Sequence, residues 1–300
     1  MRFVRRGQAG DAVEPIHAVP YGRSVMIKVG EPRTLGRPAA EARLRFGTEL
    51  HELSGGPRRR LLMVDDEPAF ELSFYCGTCP LVFRRLETAQ QKLSLESMQE
   101  RLTGALDGPD DGGVIDAFGA VLPEGEYLPL LLDVEPRLVV PGKEGDYFSG
   151  EQVDAWGIDQ FWGLPEHPRT PYYRTFETAV DADAHLYEFV VPMVPPTWNE
   201  RERVEEYVAL MKRGTVPTAV AISTLDVCRP SLGLADDPAV HWGLTHFLLD
   251  GHHKLEAAAA AGRPVRLLSL LTLGESLADA EDAARLPALR TRPRSARVTG

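Results

Sequence analysis

Thr245-His246-Phe247-Leu248-Leu249, then Asp250-Gly251, then His252-His253-Lys254-Leu255-Glu256-Ala257-Ala258-Ala259-Ala260-Ala261 and Gly262: this stretch reads as strand, turn, helix and stop. The first residues are largely apolar or β-branched, as a buried strand requires. The alanines are the strongest helix formers, and a helix favours Gly just past its end. Val265 to Leu271 then returns to a strand pattern, and Ala219 to Ile222 supplies an earlier strand, followed by a loop from Cys228 to Pro238. Further upstream, Leu186 to Val191 is a strand, and Pro195-Pro196-Thr197 leads into a helix. Glu200, Glu202 and Glu205 sit in its early turns, and it ends near Lys212-Arg213-Gly214; acidic starts and basic, Gly-closed ends suit the helix dipole and its free carbonyls.

Towards the N-terminus the signals become shorter. Arg23 to Val29, Arg60 to Val64 and Phe70 to Tyr75 read as strands, and Tyr127 to Val140 as two strands split by Glu135-Pro136. Residues 81–105 read as a helix, with Leu81, Phe83, Leu86, Ala89, Leu93 and Leu95 near the helical repeat. The segment 141–183 reads as an irregular connector held by its aromatics. These elements together predict an α+β fold: a mixed sheet with helices, divided into a strand-rich acidic region over 1–194 and a C-terminal module over 195–300. No internal repeat is visible.

The turn carries the functional expectation. A Gly that follows a strand and opens a helix leaves backbone N–H groups aimed at whatever lies beyond, a natural anion site. Asp250 is placed to cap that helix, to orient an imidazole or to hold Mg²⁺. His252, His253 and Lys254 put donors and positive charge in the first turn, where the dipole disfavours cations by roughly a few tenths of a kcal/mol each. A bound anion would reverse that penalty, so Asp250, Gly251, His252, His253 and Lys254 form the expected phosphate or nucleotide site.

The string from Phe247 to Ala258, followed by Gly262-Arg263-Pro264-Val265, resembles the DGHHR-type signature of the ParB/sulfiredoxin-like superfamily. The resemblance covers roughly 215–275. It implies a turn that binds nucleotide phosphates, with Lys254 where the family usually carries Arg, and a nucleoside tri- or diphosphate with Mg²⁺ as cofactor. It also implies an acidic base on an earlier loop; Asp226 is the nearest positional candidate, acting with His252 and His253 as the catalytic set. The turn contains no Cys, which argues against the sulfiredoxin reaction.

Two further clusters have competing readings. Cys76-x-x-Cys79 is half of a zinc site, a redox dithiol at a helix start, or a pair of ordinary thiols. His241 and His246 join His252 and His253 within a short span, which could gather a transition metal, but packed strand residues are the plainer account.

Charge narrows the partners. Of 33 Lys+Arg and 44 Asp+Glu, residues 200–300 hold 13 of each, which leaves 20 against 31 in 1–199. So acidic a surface argues against generic nucleic-acid binding. The basic run Arg285, Arg290, Arg292, Arg294 and Arg297 reads as a solvated, frayed terminus. No apolar stretch is long enough to span a bilayer, and no apolar run follows Arg2, Arg5 and Arg6, so a soluble cytoplasmic protein is expected. Neither a P-loop nor a G-x-G-x-x-G fingerprint occurs. The leading expectation is a nucleotide-dependent phosphotransferase or NTPase acting on a small molecule. The alternatives are a non-catalytic nucleotide sensor or interaction protein, and a metal-dependent hydrolase or nuclease.

Overall fold

The computed structural model describes residues 25–49, 59–72, 83–156, 168–228 and 240–293. The chain begins with β1 (Val25–Val29) and β2 (Arg33–Leu35), then a run of short strands: β3 (Leu44–Glu49), β4 (Arg59–Val64), β5 (Glu67–Leu72) and β6 (Phe83–Arg85). Helix α1 (Gly112–Gly119) precedes β7 (Gly125–Val134) and β8 (Arg137–Val139). Helix α2 (Glu151–Trp156) precedes the antiparallel pair β9 (Tyr172–Ala179) and β10 (Ala184–Pro192). The remainder is α3 (Arg201–Lys212), β11 (Thr218–Cys228), β12 (Val240–Asp250), α4 (His252–Ala261), β13 (Val265–Thr272) and α5 (Ala280–Arg290).

Nine strands form one mixed sheet in the order β1-β7-β13-β11-β12-β10-β9-β8, with β2 also on β7, while β3-β4-β5-β6 make a separate antiparallel sheet. The class is α+β. The pairs β10–β12 and β11–β13 are parallel. Every residue of β11 is buried, because the sheet is covered on both sides and its central strands cannot alternate with water. Val220 and Ile222 of β11 face the four-stranded sheet and α1, where Phe70 meets Phe247 with ring centroids 5.2 Å apart. Ala219 and Ala221 face the opposite way, towards Val204 and Tyr207 of α3, Leu255 and Ala258 of α4, and Leu286 and Leu289 of α5.

Several expectations change. Phe83 pairs with Leu72 in a strand, and the segment after it is extended with single 3-10 turns at Glu96–Met98 and Arg101–Thr103, not a helix. Its apolar residues act as separate anchors: Ala89, Leu93 and Leu102 are buried, whereas Leu86 and Leu95 are only partly so, so there is no continuous helical stripe. The aromatic segment 141–183 contains α2 and β9, whose Tyr172 and Tyr173 suit a pleated surface. The division at 194/195 runs through the large sheet, since β10 pairs with β12 from Ala184↔Val240 to Pro192↔Leu248. The basic C-terminus is not frayed as far as it is described. It forms α5, capped by Asp279, which accepts from the Asp282 N–H at 2.8 Å. Burying Leu286 and Leu289 contributes about 1.5–3 kcal/mol each, more than any one exposed charge pair. Arg285 pairs with Asp181 at 2.8 Å, and Arg290 reaches Glu188 in the interior. Arg294 and Arg297 lie outside the described residues. Among those described, no helix is long and apolar enough to cross a membrane.

Candidate functional site

Because β10 and β12 are parallel, they end at the same edge of the sheet, and each leads into a helix. The start of α3 and the start of α4 therefore lie side by side, beyond the carboxyl ends of neighbouring strands, where open sheets with helical crossovers tend to bind ligands. A cavity of about 180 Å³ opens there. Asp250, Gly251, His252, His253 and Lys254 line one wall; Glu200, Arg203 and Tyr207 line a second; Lys92, Ser94 and Gln99, from the extended segment after β6, line a third. The volume falls below the roughly 300–1,000 Å³ of pockets that enclose whole drug-sized ligands. It suits a phosphate-sized group with the rest of its molecule reaching outwards.

Gly251 is the N-cap of α4, at φ 102, and a Cβ built there would stand 2.7 Å from the Ala219 Cβ. The turn thus needs glycine both for its backbone angle and for its close approach to β11. No side chain caps α4. Asp250, expected as the cap, instead accepts from Lys254 Nζ at 2.9 Å, and the same ammonium donates to the Thr218 carbonyl at 2.9 Å. Lys254 is buried; burial lowers its pKa while Asp250 opposes the shift. Its charge is matched inside the protein, so it does not offer the free cation expected from the sequence. The first amides of α4 have no partner within their helix, and they remain uncapped.

The histidines also differ from expectation. His252 Nε2 accepts the Met193 N–H at 3.2 Å, and His253 Nε2 accepts the Glu200 N–H at 3.2 Å. Burial, with Lys92 and His253 nearby, pushes the His252 pKa down to about 3. His253 is lowered as well, first by burial and then by Arg203 and Lys92. Both are neutral at pH 7, and with Nε2 accepting, each ring carries its hydrogen on Nδ1. His252 Nδ1 is buried with no hydrogen-bond partner. Neither ring is a cation, and each Nε2 lone pair is engaged by a backbone amide. They are donors.

The positive charge comes from residues that the sequence reading missed, Lys92 and Arg203. No described ion pair includes either. Arg203 could have been anticipated, because two parallel strands each followed by a helix bring both helix starts together. For Lys92, nothing local signals the site. Asn199, also missed, ties the two helix starts by donating to Glu256 at 2.8 Å and to the His252 carbonyl at 3.4 Å.

Asp226 lies elsewhere. Val220 of β11 pairs with Asp250, whereas Asp226 pairs with Gly243, six residues and about 20 Å along the strand. Its carboxylate accepts from Arg60 at 3.0 Å and from the Leu277 N–H at 3.1 Å, on the face away from α4. It is a structural ion pair, not the base of this site. His241 and His246 are packed strand residues, bonded to Tyr147 Oη at 2.6 Å and Ser223 Oγ at 2.7 Å. Cys76 and Cys79 lie outside the described residues, and among the described ones no three His, Cys, Asp or Glu side chains gather as metal ligands. A Mg²⁺ ion usually takes one or two carboxylates plus ligand phosphates. With Asp250 held by Lys254, Glu200 is the carboxylate on the cavity wall that fits that part.

The chain matches no protein-family model, no curated protein and no solved structure. Its chemistry is therefore read from these residues alone: uncapped amides, two neutral imidazole donors and two cations around a small cavity.

Proposed function

We propose that the protein binds the phosphate of a nucleotide-class small molecule at the start of α4, in a module of the ParB/sulfiredoxin-like kind. The observation that carries this reading is the uncapped start of α4 on a cavity whose wall also holds Lys92 and Arg203, with the buried, unpartnered Nδ1 of His252 behind it. A buried donor with no acceptor costs about 1–3 kcal/mol. A phosphoryl oxygen that the ring turned to meet would remove that cost while receiving amides and cations whose dipole and charge favour it.

Turnover is the second part of the reading. Phosphoryl transfer rests mainly on positioning and charge, which these groups supply. Glu200, on the cavity wall and exposed, is the residue placed to meet Mg²⁺ or an attacking hydroxyl. The pairing of Asp250 with Lys254 favours the alternative, a sensor that binds without turnover. Calorimetric titration of pyrophosphate, ADP and ATP with and without Mg²⁺, followed by product analysis, tests both. Saturable binding with release of diphosphate or phosphate supports an enzyme, and binding without products supports a sensor. Absence of binding by all three overturns the reading.

A further inference from the structure

Trp198 has the highest relative exposure of the large hydrophobic side chains described as exposed, at 49%. An exposed indole on a mobile loop would mean little, but the backbone that carries this one is held. The 3-10 turn Pro196–Trp198 is closed by the Trp198 N–H donating to the Pro195 carbonyl at 2.9 Å, and the two prolines fix its backbone angles. The next residue, Asn199, is bonded to the first turn of α4, and the one after it, Glu200, lines the cavity and donates its N–H to His253. Two trans peptide steps put the Trp198 Cα within about 7.6 Å of that of Glu200. The Arg85 guanidinium lies 6.0 Å from the indole centroid, at the outer limit of a cation–π contact, and backs the ring without covering it.

We infer that Trp198 is the seat for a planar aromatic ring on the same ligand whose anionic group sits at α4. This rests on the phosphate reading above and extends it by naming a second feature of the ligand. The cavity itself is too small to enclose a ring together with a phosphate, so the ring must lie outside it. The Trp198 backbone is fixed two residues from the cavity wall, and its half-exposed indole offers a π face to a ring that leaves the cavity on that side. Stacking is tolerant of ring identity, so the subsite selects for an aromatic ring and not for one particular base.

The test titrates pyrophosphate, ribose 5-phosphate, ADP and cytidine diphosphate into the full-length protein and into its Trp198→Ala and Trp198→Phe variants. The pyrophosphate arm reports the α4 site, and the ratio of nucleoside diphosphate to pyrophosphate affinity reports the ring subsite. In the wild type that ratio is expected to exceed one for both diphosphates. Trp198→Ala should lower it about five-fold or more, and Trp198→Phe should keep most of it. A ratio near one in the wild type, or a ratio unchanged in Trp198→Ala, overturns the inference while leaving phosphate binding intact. Failure of every ligand, pyrophosphate included, removes the α4 reading itself and this inference with it.

Discussion

Two polar clusters occupy the same face of the large sheet, and they handle the same kinds of side chain in opposite ways. Beneath α5, Ser269 donates to Ser223 at 2.8 Å and Ser223 meets His246 at 2.7 Å. Thr175 donates to Glu188 at 2.5 Å, and Arg290 reaches the same carboxylate at 3.2 Å. Glu188, His246, Ser223 and Ser269 have no exposed surface, and the row spans β13, β11, β12, β10 and β9. At the start of α4, by contrast, no side chain caps the helix, one imidazole Nδ1 is buried without a partner, and Lys92 and Arg203 line a cavity. The first cluster sets its charges against one another inside the protein, with His246 Nε2 and Glu188 Oε2 4.0 Å apart and without a hydrogen bond, and it fixes the C-terminal helix. The second has cations on a cavity wall and no ion pair described for them, and the proposed anion would answer them. A histidine beside an acid and a base is thus no guide to function until its partners are counted.

The largest expected effect lies at α5. Arg290→Met should strand Glu188 as a buried charge and lower the unfolding free energy by about 3–5 kcal/mol, read by urea denaturation. Adding Glu188→Gln should return part of it. A loss below about 1 kcal/mol would mean that the closed cluster is not closed.

Acid separates the two clusters by pH window. His252 has a folded pKa of about 3 against an ordinary 6.5. Its contribution is therefore complete above pH 6.5 and declines as the pH falls towards 3. Glu188 is held at about 2 against 4.5: burial opposes its charge, but Arg290, His246 and Thr175 outweigh it. Its contribution declines only between pH 4.5 and 2. Denaturant midpoints should already fall between pH 6.5 and 5, and His252→Gln should flatten that early decline. A wild-type midpoint that stays level down to pH 5 contradicts the neutral, buried imidazole.

Gly251→Ala forces a Cβ against Ala219 at a left-handed φ, with an expected cost of about 1–3 kcal/mol. Calorimetric Tm measures it, and a Tm equal to that of the wild type would show that the turn has room to spare. The smallest effect is confined to binding. Lys92→Ala and Arg203→Ala should each weaken pyrophosphate by about ten-fold, the scale of a charge-assisted hydrogen bond, with Tm little changed because both side chains are partly exposed. Unchanged affinity in both variants would leave the open cluster without its cations.

The sequence made the scaffold of the open cluster legible and its chemistry only partly so. Helix α4 spans His252–Ala261 and stops at Gly262, in agreement with the local pattern, because alanines and a closing glycine act over a few residues. The strands on either side followed from short apolar runs for the same reason. What could not be read was tertiary. The histidines look cationic until Met193 and Glu200 bring backbone amides to their Nε2 atoms. Lys254 looks free until Asp250 and the Thr218 carbonyl hold it. Asp226 was placed by order along the chain, but β11 carries it to the far end of the strand and the opposite face. Arg290 resembled a tail residue because its partner, Glu188, lies about a hundred positions earlier.

Amide-resolved NMR of the labelled protein reads the first turn of α4 most directly. Adding pyrophosphate should shift the backbone amides of His252, His253 and Lys254 saturably, while the His252 ring nitrogens keep the pattern of a neutral imidazole protonated at Nδ1. If those amides stay in place as pyrophosphate is raised to millimolar levels, then no anion belongs at this helix start.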